Sequence, residues 1–230
     1  SRDLTSELVK LVQAMQEIKS EEDSRVNSYE IFVNQKQTRI RNSRGVDVTF
    51  SGFDCEIEVV TNSRKDDHEI EIYRDLRFSD KSAEKIIAEV RGMFHTGRQR
   101  LNAVPTRQNE HADVLLSGDA VGSFFQYFAM HTNASYQYMG VAKTKIGEAI
   151  TGADADPLNI RLVPTLDGSA KNAPYDETGM PVAERVLFEN GICRSYWGSL
   201  QHAHYIDMKD TTSMNNMVVE GGSKTLDELR

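Results

Sequence analysis

Two histidines separated by one residue, His202 and His204, are the first candidates for metal chemistry in this sequence. Imidazole nitrogens bind zinc and copper. On a β-strand the two rings would lie on one face and could share an ion, whereas on an α-helix they would diverge. Residues 199–206 fit either conformation, and no nearby cysteine or suitably spaced acid completes a ligand set. A metal site at His202 and His204 therefore requires residues 199–206 to form a β-strand.

Acidic residues in the C-terminal half suggest a second kind of site, because carboxylates are the preferred ligands of calcium. A calcium loop of the EF-hand type needs ligands at alternating positions and a terminal glutamate. The acids in these loops lack that register, so we expect solvated side chains rather than an ion site. They are Asp154, Asp156, Asp167, Asp176 and Glu177.

Nucleophiles and phosphate-binding loops receive no support from the sequence. Cys55 and Cys193 are the only cysteines, and they are too far apart for a Cys-x-x-Cys site, so we expect two free, buried thiols. No Gly-x-Ser-x-Gly sequence marks an exposed serine nucleophile. Gly45, Gly118 and Gly122 do not form a phosphate-cradling pattern, which argues against nucleotide binding.

Length, composition and charge narrow the class of protein. The chain has 230 residues, 39% of them hydrophobic, which is enough for a substantial core. A net charge of −8 gives no electrostatic reason to bind nucleic acid. Since no apolar run reaches the roughly 18 residues that span a bilayer and no signal peptide is evident, we expect a cytoplasmic protein that does not enter a membrane.

The elements that must position any site begin with an amphipathic helix over residues 4–18, whose apolar residues recur every three or four positions. Period-two patterns then predict an antiparallel meander, with turns at 42–45 and 62–67. A second helix should start near Asp80 or Ser82 and end near Leu101. The strands of the meander are predicted at 29–33, 38–41, 46–50, 55–60 and 69–73.

A polar segment without periodicity, residues 102–110, predicts a connection between an N-terminal domain (1–108) and a C-terminal domain (109–230). The second domain holds one aromatic-rich helix and the Asn190-Gly191 turn, a strong hairpin signal. A last helix is expected to begin at 226–230. The other strands are predicted at 113–116, 158–163, 182–188, 192–197 and 217–219. The fold class is thus α+β, with a β-rich C-terminal lobe.

Several segments of the second half resemble, in order, the TldD/PmbA family, whose members are also known as proposed modulators of DNA gyrase. The resemblance covers residues 113–230 and, more loosely, 28–101. Because family members are longer, the resemblance implies that this chain is an incomplete portion. It also implies that in TldD-like chains a cysteine in the part beyond Arg230 supplies a further zinc ligand. The matching segments are 115–140, 158–169, 175–179, the hairpin 186–192, Ser213-Met214-Asn215-Asn216, Glu220-Gly221-Gly222 and 226–229.

The resemblance also locates the family's metal motif and shows what replaces it. In the TldD branch the aromatic helix carries His-Glu-x-x-x-His, and alignment on residues 117–125 places Gln126 at the first histidine, Tyr127 at the glutamate and His131 at the second histidine. An amide oxygen is a weak ligand, and near neutral pH a phenol cannot act as a base in place of a carboxylate. Because catalytic zinc needs three protein ligands, we expect no catalytic residue and no bound metal here. His131 should be a hydrogen-bonded core or cleft residue.

The resemblance implies a PmbA/TldE-like subunit of a cytoplasmic zinc metalloprotease assembly that acts on unfolded peptides. The chain would be inactive alone, with zinc in a TldD-like partner, or would pair with itself as a dimer. The strand around Asn216 and the strands flanking Asn190-Gly191 could hold an extended peptide through main-chain hydrogen bonds. The alternatives are a non-catalytic binding scaffold acting as a homodimer, an enzyme completed by residues after Arg230, and, last, direct modulation of gyrase.

Overall fold

A computed structural model of the protein describes residues 2–106, 108, 111–152, 155–209 and 212–229. The chain forms two compact units, each discontinuous in sequence. Unit 1 consists of Ser1–Thr38, Phe50–Gln108 and Asp167–Ala170. Unit 2 consists of Arg39–Thr49, Asn109–Leu166 and Lys171–Arg230. None of the helices in these ranges is long and apolar enough to cross a bilayer.

The N-terminal half has the predicted order of helix, three-stranded meander and helix. The sheet order is β1-β2-β3, and β2 pairs antiparallel with β3 from Cys55 opposite Phe78 to Lys65 opposite His68. Asp3 caps the first helix through its carboxylate, and Ser82 caps the second. The elements are α1 (Leu4–Gln16), β1 (Ser24–Arg41), β2 (Asp47–Lys65), β3 (His68–Phe78) and α2 (Ala83–Leu101).

Five predicted strands of this half are three longer ones. Residues 29–33 and 38–41 are both part of β1, and residues 47–50 of the predicted strand 46–50 are part of β2 together with 55–60. Polar residues interrupt the apolar pattern in β1 because most of its side chains are exposed, but the backbone remains extended. The predicted turn over 62–67 is wrong at 62–65, which continue to pair with β3; the chain turns at Asp66, which has a positive φ of 53°.

Alternating residues of β2 and the apolar stripes of both helices form the core of unit 1. Gly97 of α2 lies against Ser63 of β2, where an added Cβ would be 2.2 Å from Ser63 Oγ. The hydroxyl of Ser63 is hydrogen-bonded to that of Ser24 at 2.8 Å, in a buried position. The fully buried members of this core include Leu11, Ile57, Val59, Ile86, Val90 and Phe94.

The second half contains a four-stranded antiparallel sheet with the order β6-β5-β4-β7 and three helices. Its core is formed by Ile160, Leu162, Leu187, Phe188, Cys193 and Ala129. The α+β fold class is confirmed. The elements are α3 (Asp119–His131), α4 (Ala134–Tyr138), β4 (Ile160–Val163), β5 (Arg185–Glu189), β6 (Ile192–Cys193), α5 (Leu200–Tyr205) and β7 (Asn216–Val219).

Several boundaries in this half differ from the prediction. Residues 113–116 are irregular rather than a strand, and Val114 is 75% exposed, so this apolar run has no sheet partner within the described residues. The predicted strand 192–197 ends at Cys193, and α4 was not predicted. Residues 226–229 form a turn, in which Leu229 N donates to Thr225 O at 3.2 Å, instead of the predicted start of a helix.

Candidate functional site

Helix α3 carries the three positions aligned with the family's metal motif. It begins at Asp119, directly after Gly118, whose positive φ of 58° favours glycine, and it ends where Thr132 N and Oγ1 both donate to Ala129 O. Ala129 is its only fully buried residue, while Phe125 and Phe128 pack partly buried against the core of unit 2. The spacing of these three residues therefore sets which face of α3 meets the sheet.

The motif positions lie on the other side of α3. Gln126 is exposed, and Tyr127 is 55% exposed with its ring centroid 4.3 Å from that of His131. His131 is half-buried, and its Nδ1 accepts a hydrogen bond from Lys143 N at 3.2 Å. Its ring also contacts that of Tyr136 at 5.6 Å. One ring nitrogen of His131 is thus used within the fold.

These side chains do not fit a zinc ion. An amide, a phenol and one imidazole with an occupied Nδ1 provide neither three strong ligands nor a carboxylate to deprotonate water. Across the described part of the chain, no three His, Cys, Asp or Glu residues are placed to hold a metal ion. On α3 itself, the three aligned side chains offer ring contacts and hydrogen bonds.

Of the two conformations considered for His202 and His204, the structure has the helix. Both belong to α5, where residues two apart point in different directions. Ser199 caps this helix, and its Oγ lies 3.0 Å from Nδ1 of His202. His204 is exposed. The pair cannot share an ion in this conformation.

The loop acids are dispersed, and two of them organise backbone. Asp156 accepts hydrogen bonds from Ser223 N and Oγ, and these bonds lower the pKa of its carboxyl. Asp176 Oδ1 accepts from Thr178 N, Thr178 Oγ1 and Met180 N. Asp167 and Glu177 are exposed, and Asp154 lies outside the described residues.

The strands expected to hold a peptide differ in what they offer. β7 is an edge of its sheet, so its outer backbone groups have no strand partner in that sheet. The side chain of Asn216 is buried and donates to Asn172 Oδ1 at 3.0 Å, so this side chain serves the fold. Asn190 and Gly191 form the predicted hairpin turn, both with positive φ, but β6 beyond it has only two residues.

Comparison with protein families gives a match over residues 109–230 to the PmbA/TldA metallopeptidase C-terminal domain. This match covers more than half of the chain. The chain belongs to the PmbA/TldD family. Its relation to metallopeptidases is therefore established at the level of the family, while the donor set on α3 departs from the motif of the TldD branch. A search of curated proteins gave no match.

Solved structures share the fold of this chain. TldE from Thermococcus kodakarensis superposes with a TM-score of 0.71 at 18% identity, covering 98% of this chain and 53% of that one. A proposed modulator of DNA gyrase from Thermotoga maritima gives 0.66 at 17% identity, covering 99% and 54%. One from Bacteroides thetaiotaomicron gives 0.64 at 16%, covering 99% and 52%. The chain spans about half the length of these structures.

Trp197 is a positioning residue in this PmbA/TldD-family fold that the sequence did not single out. Its Nε1 donates to Ala129 O at 2.7 Å, at the end of α3. Its backbone N donates to Thr132 O, and its own carbonyl accepts from Ala134 N at 2.7 Å. Trp197 therefore fixes the segment between α3 and α4 from three sides. The one feature of the sequence that could have drawn attention to Trp197 is that it is the single tryptophan.

The two cysteines are buried free thiols, as predicted. Burial raises the pKa of both Cys55 and Cys193 to about 11 from 9.0, because a thiolate loses solvation there. We expect neither thiol to react with Ellman's reagent near pH 8 in the folded protein and both to react in urea. A thiol absorbance assay with and without urea measures this.

The same pKa shift predicts how stability depends on alkaline pH. Because the folded pKa of each thiol lies above the unfolded value, its stabilisation is complete below about pH 9 and is lost as pH rises towards about 11. Urea denaturation at a series of pH values from about 8 to 11 measures this loss.

The labelling prediction has its own control: a Cys55→Ala variant should show one reactive thiol in urea instead of two. Rapid labelling of the native protein near pH 8 would contradict the prediction that both thiols are protected in the folded protein.

Proposed function

We propose that this chain is a PmbA/TldE-like subunit of a cytoplasmic TldD/PmbA-type zinc metalloprotease assembly that acts on unfolded peptides. In this proposal a TldD-like partner holds the zinc, and the present chain completes the chamber and guides the substrate. The observation that carries the proposal is the donor set of α3. Gln126 and Tyr127 stand where the TldD branch has histidine and glutamate, and His131 Nδ1 is occupied by Lys143 N.

Exposed aromatic side chains support association with a partner of similar fold. Phe124 is 49% and Tyr127 is 55% exposed on α3, and their rings contact Phe128 at 5.6 Å and 5.5 Å. The exposed apolar residues 114–116 precede the same helix. Concentrations of exposed apolar surface are typical of protein interfaces.

The edge strand β7 supports the handling of an extended peptide. A peptide can add to an open sheet edge through main-chain hydrogen bonds, which need no particular side chain. This mode of binding suits unfolded substrates, because it recognises backbone rather than sequence. It also needs no catalytic group on the chain that holds the peptide.

Peptidase assays on the full-length protein test the proposal. We expect the protein alone to contain far less than one zinc per chain and to leave an unfolded peptide intact. Mixed with a TldD-like homologue that has an intact His-Glu-x-x-x-His motif, it should support cleavage that a chelator abolishes. Mass spectrometry of the peptide and elemental analysis of the protein are the measurements.

A partner in which the motif glutamate is replaced by glutamine serves as the matched control, since it should assemble without cleaving. Hydrolysis by the partner-free protein that is lost on dialysis against a chelator would overturn the proposal. If no TldD-like chain binds and the protein sediments as a dimer of itself, the alternative of a non-catalytic homodimeric scaffold replaces the proposed role as a protease subunit.

A further inference from the structure

The main-chain amide of Lys143 determines which ring nitrogen of His131 carries the hydrogen. Lys143 N donates to His131 Nδ1 at 3.2 Å. Because a main-chain amide nitrogen can only donate, Nδ1 must present its lone pair and carry no hydrogen. The single ring hydrogen of the neutral imidazole is then on Nε2. The fold thus selects the Nε2–H tautomer of His131.

The segment that supplies this amide is tied to the end of α3 by a side chain. Gln137 Nε2 donates to His131 O at 3.0 Å and to Thr144 O at 2.8 Å, so it links the backbone at both ends of the bond between Lys143 and His131. Thr144 is only 5% exposed, whereas the side chain of Lys143 is exposed. The backbone of Lys143, rather than its ammonium group, is therefore the part that the fold positions.

Two tyrosines hold the ring that receives this hydrogen bond. The ring centroid of His131 is 4.3 Å from that of Tyr127 and 5.6 Å from that of Tyr136, with interplanar angles of 68° and 73°. Tyr136 also anchors the donor segment, since its carbonyl accepts from Val141 N at 3.1 Å and Ala142 N at 3.2 Å. Rotating the ring to release Nδ1 would therefore disturb both ring contacts as well as the hydrogen bond.

This tautomer conflicts with the binding of a metal ion, which needs a nitrogen lone pair. At Nδ1 the ion would have to displace Lys143 N. At Nε2 it would require the ring hydrogen to move to Nδ1, where it would face the hydrogen of Lys143 N. A histidine that binds a metal normally has the opposite arrangement, in which its second nitrogen donates to a carboxylate or carbonyl oxygen. Either position of the ion therefore costs the bond between Lys143 and His131.

We propose that Lys143 N fixes His131 as a hydrogen-bond donor, so that the fold disfavours a metal ion at this ring whatever residues occupy positions 126 and 127. The Nε2–H group suits an acceptor oxygen instead, such as a peptide carbonyl. Restoring the motif by Gln126→His and Tyr127→Glu would then not restore His131 as a ligand. The proposal concerns the chemistry of this chain alone and does not depend on the role of a protease subunit.

Heteronuclear NMR on the isotope-labelled, full-length protein tests the tautomer near pH 8, where an ordinary imidazole is neutral. Long-range spectra of histidine rings distinguish the two tautomers, and a His131→Gln variant identifies the signals of His131. We expect the Nε2–H form alone, with a scalar coupling across the hydrogen bond between Lys143 N and Nδ1. A hydrogen on Nδ1, or a mixture of both tautomers, would overturn the proposal.

Two variants at one position separate the main-chain donor from the lysine side chain. Lys143→Pro removes the amide hydrogen, whereas Lys143→Ala keeps it and serves as the matched control. We expect both tautomers of His131 in the proline variant and Nε2–H alone in the alanine variant. Nε2–H alone in a folded proline variant would overturn the role of Lys143 N. If the proline variant does not fold, the tautomer and the coupling in the original protein decide the proposal.

A zinc titration tests the consequence for metal binding, in protein that carries Gln126→His and Tyr127→Glu. The ring signals of His131 follow the binding of zinc alone, without peptide or partner. We expect Lys143→Pro to strengthen binding about tenfold relative to Lys143→Ala, because no hydrogen bond has to break. Equal affinity would overturn the claim that the fold disfavours a metal. Such a result would leave the subunit role standing, since peptide cleavage with a TldD-like chain tests that role.

Discussion

Replacing Gly97 by alanine is expected to lower the free energy of unfolding by about 2 kcal/mol, although alanine is the better helix former. A Cβ at this position would lie 2.2 Å from Ser63 Oγ and 2.8 Å from Ser63 Cβ. Both α2 and β2 would have to separate, and the buried hydrogen bond between Ser63 and Ser24 would be disturbed. Urea denaturation followed by circular dichroism measures the change.

Gly92 provides the matched control on the same helix. A Cβ there meets no atom within 4 Å, so Gly92→Ala should gain about 1 kcal/mol from helix propensity alone. The same substitution five residues apart is thus predicted to have opposite signs. Stabilisation by both variants would show that α2 does not pack against β2 at Gly97 as described.

Replacing Trp197 by alanine is expected to cost about 3 kcal/mol in the stability of unit 2. The variant loses the packing of the indole against the second core and the donor to Ala129 O. Because Trp197 connects to both Thr132 and Ala134, we also expect faster amide exchange where α3 meets α4. Hydrogen exchange and urea denaturation are the measurements.

Trp197→Phe separates packing from hydrogen bonding. It keeps an aromatic ring but has no donor, and Ala129 O still accepts from Thr132 N and Oγ1. The carbonyl is therefore not left without a partner, and the cost should be only about 1 kcal/mol. A loss as large as that of the alanine variant would contradict this account of the indole.

Elements set by local periodicity were predictable from the sequence. The apolar spacing in α1 and α2 predicted helices close to those observed, and Asn190-Gly191 marked the hairpin between β5 and β6. The strands of the meander were divided too finely, because polar residues on exposed strands resemble turns when burial is unknown. Burial depends on distant partners and cannot be read from a local window.

The positions on α3 were located through family resemblance, since a lone histidine carries no signal of its own. The occupied Nδ1 of His131 depends on Lys143, which follows twelve residues later in irregular chain. A polar cleft of unit 2 is formed by residues from four separate stretches, 133–135, 175–177, 197–202 and 213–215. Tertiary contacts of this kind have no periodic pattern, so the sequence singled out Asp176, Glu177 and His202 separately and did not indicate that they line one cleft.

The position of Trp197 has a spectroscopic consequence. The chain has no other tryptophan, so its indole emission reports on unit 2, whereas ellipticity in the far ultraviolet averages both units. If the two signals change at the same urea concentration, the units unfold together; if fluorescence changes separately, they unfold independently. One native fluorophore thus measures the cooperativity of the whole molecule without any label.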